Sequence, residues 1–123
     1  MRTFKDTRGR NWFDIISAIE GQIDITVSYP GTIRAFHYHT YKTEWMFIIK
    51  GHYKFVLTNP NETVYLSEGE CIEITSTRWH GYQNIGNDEG FVMEYANKKH
   101  DLENPDDDKD VWNAYDNWEK EKK

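Results

Sequence analysis

Residues 31–51 read GTIRAFHYHTYKTEWMFIIKG, with Gly31 and Gly51 closing the two ends. Successive side chains on a strand point to opposite faces, so His37 and His39 share a face and can converge on one point. Glu44 follows five residues later, in a run where Trp45, Phe47 and Ile49 alternate with Glu44, Met46 and Ile48. Both faces of that run are largely apolar, the pattern of a buried central strand. A further imidazole, His80, sits in Arg78-Trp79-His80-Gly81-Tyr82-Gln83-Asn84. Together His37, His39, Glu44 and His80 make a mixed nitrogen and oxygen set suited to zinc, iron, nickel or manganese rather than calcium. The same groups are equally suited to acid/base work.

Outward from this stretch the chain reads as short strands. Gln22 to Ser28 alternates cleanly, with Ile23, Ile25 and Val27 on one face and Gln22, Asp24, Thr26 and Ser28 on the other. If the polar face points into a barrel, it lines a site rather than solvent. Upstream, Gly9 marks a turn, and Trp12, Phe13, Ile15 and Ile16 read as the first strand. Pro30-Gly31 turns into a strand over Thr32 to His39, and Gly51 reads as a tight hairpin joining Glu44–Lys50 to Tyr53–Thr58. Thr63–Leu66, Cys71–Thr75, Trp79–Asn84 and Phe91–Ala96 continue at near-regular spacing. The expected fold is all-β, an antiparallel barrel or sandwich over residues 1–104. The tail, residues 105–123, departs from this pattern. Asn104 and Pro105 followed by Asp106, Asp107 and Asp108 read as an N-cap, an N1 proline and an acidic first turn, and Val111, Tyr115 and Trp118 share a helical face. A C-terminal helix is expected over 105–121, covering an open edge or packing on a second subunit.

At 123 residues the chain is one domain with a single core. A net charge of −6 argues against nucleic acid or an anionic membrane as a general partner. Aromatics reach 15 %, which favours strands and suits sugar or base pockets as well as core packing. Cys71 is the single cysteine, so no intrachain disulfide forms and a reducing, cytoplasmic setting is expected. No apolar run approaches the length of a membrane span, and the opening MRTFKDTRGR lacks the apolar centre of a signal peptide.

The spacing of Gly31, His37-x-His39, Glu44 and Gly51 resembles the first cupin motif, and Gly69, His80 and Asn84 resemble the second, with Thr75 and Thr77 where that family usually has proline and glycine. Within the cupins the chain most resembles the dTDP-4-dehydrorhamnose 3,5-epimerases and the related nucleotide-sugar 3,4-ketoisomerases. The resemblance rests on the Phe4-x-Asp6-x-Arg8-Gly9 opening, on Gln22 through Ser28, on Gly31, Arg34 and His37, and on Trp79-His80-Gly81-Tyr82. It implies that Arg8 and Arg34 bind the phosphates of a nucleotide sugar or neighbouring groups, and that His37 removes a proton beside a keto group. Gln22, Trp79 and Tyr82 complete the substrate-binding set, and His80 lies near the phosphates or the ring. Two positions differ from the epimerase pattern. Glu44 stands where those enzymes carry a lysine that supports the developing oxyanion, and Glu94 stands where they carry a tyrosine.

The first functional expectation is therefore an isomerase or epimerase of a nucleotide-linked keto sugar, with His37, Glu44 and His80 as the catalytic set. The substitution at Glu44 is what a metal-binding cupin has, so one divalent ion (Zn, Ni, Fe or Mn) on His37, His39, Glu44 and His80 can take over the lysine's task as a Lewis acid. No organic cofactor is expected. A metal-dependent cupin of another class, a dioxygenase or lyase, is the second expectation, and a non-catalytic sugar-binding module the third. The resemblance also implies that residues 1–104 form a small antiparallel jelly-roll (cupin) barrel and, since cupins commonly pair through exchanged N-terminal strands, a homodimer.

Overall fold

The computed structural model describes residues 1–16, 19–39, 42–58, 60–76, 78–99 and 107–108; at Phe36, His37, Tyr38, His39, Asp107 and Asp108 only the backbone is described. Eleven strands appear in it: β1 (Arg2–Asp6), β2 (Gly9–Phe13), β3 (Gln22–Ser28), β4 (Ile33–His39), β5 (Glu44–Lys50), β6 (His52–Leu57), β7 (Glu62–Ser67), β8 (Cys71–Ile74), β9 (His80–Asn84), β10 (Gly90–Ala96) and β11 (Asp107–Asp108). They form two antiparallel sheets, a six-stranded one in the order β1-β2-β3-β10-β5-β8 and a five-stranded one in the order β11-β4-β9-β6-β7. Antiparallel sheets are what the strand spacing predicts, and the jelly-roll arrangement is what the cupin resemblance implies.

Registers fix which side chains share a face. In the six-stranded sheet, Asn11, Thr26, Val92 and Ile48 lie in one row across neighbouring strands, Asp24, Glu94 and Met46 in the next, and Gln22, Ala96, Glu44 and Ile74 in the third. These rows face inward. The central part of the interior is apolar, with Met46, Ile48 and Val92 packed against Tyr53, Phe55, Leu57 and Tyr82 of the opposite sheet. Phe55 and Tyr82 stack with ring centroids 5.1 Å apart. The polar face of β3 thus points into the molecule, and Gln22, Asp24, Thr26 and Ser28 are all buried.

Three expectations change. The N-terminal segment is a hairpin of β1 and β2 in which Arg2 pairs with Phe13 and Asp6 with Gly9, rather than a single strand over residues 12–16. Cross-strand hydrogen bonding and pairing of β2 with β3 override the weak alternation of Phe4-Lys5-Asp6. Gly51 does not close a hairpin: β5 and β6 belong to different sheets, and Gly51, at φ 106°, carries the chain round the corner with Gly90 packed beneath it. β5 is central, between β10 and β8, but is covered on one face only; Glu44, Met46 and Ile48 are buried, whereas Trp45 and Phe47 are half-buried and Ile49 is exposed. Of the helix expected over 105–121, only Asp107 and Asp108 are described, and they pair as strand with Tyr38 and His39, occupying the otherwise open edge of β4. The remainder of that span lies outside the described residues.

Gly9 marks a close approach of β2 to its neighbours. At φ 143°, a Cβ there would collide with the Val27 carbonyl and press on the Arg34 guanidinium 3.0 Å away. Gly9→Ala is therefore expected to lower stability by about 2 kcal/mol or more in urea unfolding, through combined steric and backbone strain. Gly69→Ala, at positive φ but with open space around it, is expected to lose only about 1 kcal/mol. Equal effects at the two positions would contradict this account.

Candidate active site and basic cleft

Two polar pairs bridge the sheets inside one end of the barrel. His80, on β9, and Glu44, on β5, approach to 3.4 Å between Nε2 and Oε1, with both side chains almost fully excluded from solvent. The His80 Nδ1 lies 3.1 Å from the Arg78 carbonyl, which can only accept, so Nδ1 carries a proton, and Nε2 is the atom turned toward Glu44. In the second pair the Tyr82 hydroxyl, also from β9, donates to Glu94 Oε1 of β10 at 2.9 Å. His80 and Tyr82 are two residues apart on one strand and face the same way, about 7 Å apart along it. Around these pairs, Gln22 Nε2 and the Asp14 backbone N–H both donate to Asp24 Oδ1 at 2.9 Å.

Asp24 lies directly opposite Glu94 in the register, and Glu44 lies one row away. Three carboxyl groups in so small a volume cannot all ionise freely. Burial, and then the charges of Glu44 and Asp24, push the Glu94 carboxyl from 4.5 up to about 8, with the Tyr82 hydrogen bond and the Arg34 charge opposing. Tyr82 is driven well above an ordinary phenol by burial first and the nearby Glu94 second.

The flank of the barrel carries a second feature. A cleft of about 350 Å³ opens beside the β1–β2 hairpin, lined by Arg2, Thr3, Phe4, Arg8, Asn11, Phe13 and Arg34. Arg34 is buried at 6 % exposure, and its guanidinium donates to Ser28 Oγ at 2.9 Å, Asn11 Oδ1 at 2.9 Å and the Val27 carbonyl at 3.1 Å, all neutral oxygens. Asn11 is held in the matching orientation because its Nδ2 donates to Thr26 Oγ1 at 2.7 Å. Burial lowers the Arg34 pKa from the usual guanidinium value, and the charges of Tyr82, Asp6 and Glu94 raise it in part. Arg8, at the hairpin turn, forms an exposed ion pair with Asp6 at 2.6 Å. Arg2 stands over the Phe13 ring, 4.6 Å from its centroid.

Of the residues singled out from sequence, Glu44 and His80 meet inside the barrel, Gln22 and Tyr82 line the same polar end, and Arg8 and Arg34 share the cleft. Trp79, half-buried, precedes β9 and accepts a backbone hydrogen bond from Thr58. For His37 and His39 only the backbone is described: His37 pairs with His80 across β4 and β9, and His39 pairs with Asp107. A register shift between Ala35 and His37, with Ala35 at φ 70°, precedes that pairing. Bulges of this kind re-aim the residues that follow them and recur at functional sites. Among the described residues no group of three or more His, Cys, Asp or Glu side chains is placed to hold a metal. The pattern missed Asp24 and the cleft residues Arg2, Phe4, Asn11 and Phe13. The alternation of β3, which puts Asp24 beside Gln22, was the available signal for the first. Pairing of β1 with β2 gathers the others, and no local pattern announced it.

Residues 4–107 match the polysaccharide biosynthesis C-terminal domain. The chain belongs to this family. Its fold is that of the cupins, shared with the capsular polysaccharide assembling protein CapF of Staphylococcus aureus at a TM-score of 0.80, with 22 % identity over 87 % of this chain and 33 % of that one. Oxalate decarboxylase of Lactobacillus farciminis shares the fold at a TM-score of 0.76, with 22 % identity over 93 % of this chain and 35 % of that one. In sequence this polysaccharide biosynthesis domain is 36 % identical, over 107 residues, to the UDP-2-acetamido-2,6-beta-L-arabino-hexul-4-ose reductase of Pseudomonas aeruginosa; the match covers 82 % of this chain and 29 % of the reductase. It is 26 % identical over 103 residues to the spore coat polysaccharide biosynthesis protein SpsL of Bacillus subtilis, covering 75 % of this chain and 68 % of SpsL. The domain thus spans under a third of the reductase's length.

The Glu94 environment has a measurable consequence. Between pH 4.5 and about 8 the folded domain retains a proton that the unfolded chain releases, so stability is greatest below this window and falls as pH rises through it. The expected loss is roughly 1.4 kcal/mol per pH unit at its steepest. Urea unfolding of the wild type at pH 5, 6, 7 and 8 should show the decline, and Glu94→Gln, which keeps an acceptor for Tyr82, should flatten it. An unchanged slope in the variant would remove Glu94 as its source.

Proposed function

We propose that this domain binds a nucleotide-linked keto sugar on the route to a surface polysaccharide and moves a proton on a carbon beside the keto group, as an epimerase or ketoisomerase does. The observation that carries the reading is the placement of Arg34. This buried cation lines the basic cleft on one side, and on the other its charge acts on Tyr82 and Glu94 inside the barrel. An anionic diphosphate seated by Arg8 and Arg34 in the cleft would direct the attached sugar toward the polar end of the interior. Guanidinium groups suit such oxyanions because they offer paired N–H donors in a plane. The relative named for a UDP-linked hexul-4-ose supports the substrate class. Reduction is not carried over, since this domain corresponds to only 29 % of that reductase.

A 4-keto sugar has acidic hydrogens on the two carbons flanking its carbonyl, and removing one requires a base and a group that steadies the enolate oxygen. The two cross-sheet pairs supply proton-handling groups on one face of β9, from residues two apart on that strand. His80, oriented by the Arg78 carbonyl and facing Glu44, belongs to one pair. Glu94, protonated below about pH 8 and hydrogen-bonded to Tyr82, belongs to the other. His37, brought opposite His80 by the strand register, is the residue to which the family resemblance gives the base.

A divalent ion fits the donor chemistry at the two members whose side chains are described. His80 donates its Nδ1 proton to a carbonyl, as metal-bound histidines do, and turns Nε2 toward a carboxylate. His80 and Glu44 would hold the ion together with His37 and His39 of β4. When bound, it would supply Lewis-acid stabilisation of the enolate oxygen, the task of the lysine that Glu44 replaces.

Solvent deuterium uptake into a panel of nucleotide keto sugars, followed by mass spectrometry, is the direct test. The expected result is exchange at a carbon beside the carbonyl, lost in His80→Ala; no exchange with any member and no binding of UDP would overturn the reading. In calorimetry, Arg8→Ala is expected to weaken UDP binding about 10-fold or more, the loss typical of a charge-assisted hydrogen bond. Unchanged affinity would remove the cleft as the diphosphate seat.

A further inference from the structure

The polar end of the barrel holds a buried lysine. Lys42 is 1 % exposed although it precedes β5 and stands at the rim of the six-stranded sheet. The β5–β10 ladder accounts for its direction. Pairing of these strands runs one residue beyond Glu44 and Ala96: the Thr43 N–H donates to Asn97 Oδ1 at 3.0 Å, and the Asn97 N–H donates to the Thr43 carbonyl at 3.2 Å. Strand alternation therefore continues through the segment, with Lys42, Glu44 and Met46 buried and Thr43 and Trp45 half-buried. Lys42 thus lies on the inner face, one step nearer the rim than Glu44, which in turn faces His80 across the sheets. Lysine is among the side chains least often fully buried, and an ammonium is kept out of water only where negative charge compensates it. Glu44 shares its face, and Glu94 and Asp24 occupy the neighbouring row. The other interior and flanking cations are committed elsewhere: Arg34 donates to three neutral oxygens beside the cleft, Arg78 to the Thr58 and Pro60 carbonyls, and Lys99 pairs with Asp14.

We propose that Lys42 is a further catalytic residue, the ammonium that donates to the keto oxygen and steadies the enolate. The inference rests on the proton-transfer reading given above and names the group that this reading still lacks. Removing a proton beside a keto group moves negative charge onto the carbonyl oxygen, and the imidazole, carboxyl and phenol groups of the two cross-sheet pairs carry no fixed positive charge to meet it. In the step, the C–H bond breaks and its proton passes to the base. The electron pair forms the C=C bond, and the carbonyl pair moves onto oxygen. Lys42 holds that oxygen through an N–H···O hydrogen bond and keeps its own proton, and return of a proton to carbon reverses the shift. A donor already in place in a water-poor site needs no reorganisation as the charge develops. Glu44, next on the same face, offsets the ammonium in the resting site. Lys42 acts on the same oxygen that a divalent ion on Glu44 and His80 would polarise, so the two contributions have to be read separately.

Solvent deuterium uptake into the nucleotide keto sugars tests this in the wild type and in Lys42→Met, which keeps the length of the side chain and removes its charge. Circular dichroism, UDP affinity and metal content are measured on the same samples. The kcat for exchange is expected to fall about 100- to 1,000-fold, the loss typical of one oxyanion donor. KM, UDP affinity and metal content should stay within about threefold, the pattern of a contact made in the transition state. Lys42→Ala should regain exchange in proportion to added methylammonium, a response that a merely structural lysine would not give. Lys42→Gln serves as the neutral variant should Lys42→Met disturb the fold. Exchange by a folded neutral variant within about threefold of wild type overturns the proposal, as does a loss that tracks the loss of bound metal or a folded Lys42→Ala that methylammonium leaves silent. A wild type that exchanges no keto sugar overturns the functional reading together with this inference. A wild type that exchanges, with the neutral variants unimpaired, overturns this inference alone.

Discussion

A buried guanidinium that donates to three neutral oxygens organises this molecule. Arg34 belongs to β4 of the five-stranded sheet, while its acceptors, Ser28 Oγ, the Val27 carbonyl and Asn11 Oδ1, belong to β3 and β2 of the six-stranded one. Its hydrogen bonds therefore clamp the two sheets together where β3 passes into β4. Taking a cation out of water is costly, and three well-oriented acceptors offset that cost without cancelling the charge. The surplus positive potential falls on the cleft, where Arg8 adds to it, and on the interior, where Tyr82 and Glu94 feel it. Removing Arg34 would leave Asn11 and Ser28 with buried oxygens to satisfy, so its structural and electrostatic roles cannot be separated by deletion alone.

The second constraint is the inverted pattern of β3. In most two-layer β folds the apolar face of a strand supplies the core and the polar face meets solvent. Here Gln22 and Asp24 are buried, and Ile23 and Ile25 look outward. The interior tolerates this because the polar residues of β3 and their neighbours hydrogen-bond to one another: Gln22 and the Asp14 N–H donate to Asp24, Asn11 donates to Thr26, and Tyr82 donates to Glu94. Apolar packing is displaced toward the middle of the barrel, around Phe55, Tyr82 and Ile48. Polar residues inside and apolar residues outside are two sides of one strand pattern, so a chemically equipped interior and a greasy outer face arise together.

Much of this was legible from local sequence. The alternation of Gln22–Ser28 gave β3 and posed the question of which face is wet, and turn residues such as Gly69 separated the later strands correctly. The resemblance to the two cupin motifs grouped Glu44 with His80, and the fold brings those two to 3.4 Å. What local pattern does not carry is pairing at a distance. The apolar residues on both faces of β5 suggested full burial, although only the Glu44, Met46 and Ile48 face is closed over. Gly51 has the composition of a hairpin turn, and whether the next strand returns to the same sheet or crosses to the other depends on partners tens of residues away. The same holds for β1, whose exposed, charged sequence becomes a strand because β2 offers it a ladder.

The two glutamates that break the epimerase pattern acquire a shared logic from the geometry. Glu44 faces an imidazole and Glu94 faces a phenol, and both partners hang from the same face of β9. The Glu44 charge is the largest electrostatic influence that raises Glu94, so the two carboxyl groups oppose simultaneous ionisation. One carboxyl group lies beside an imidazole and the other beside a hydroxyl, and unlike environments are how a single site obtains different behaviour from one residue type. Replacing a lysine by Glu44 thus does more than reverse a sign. It supplies negative charge that favours the protonated form of its neighbour.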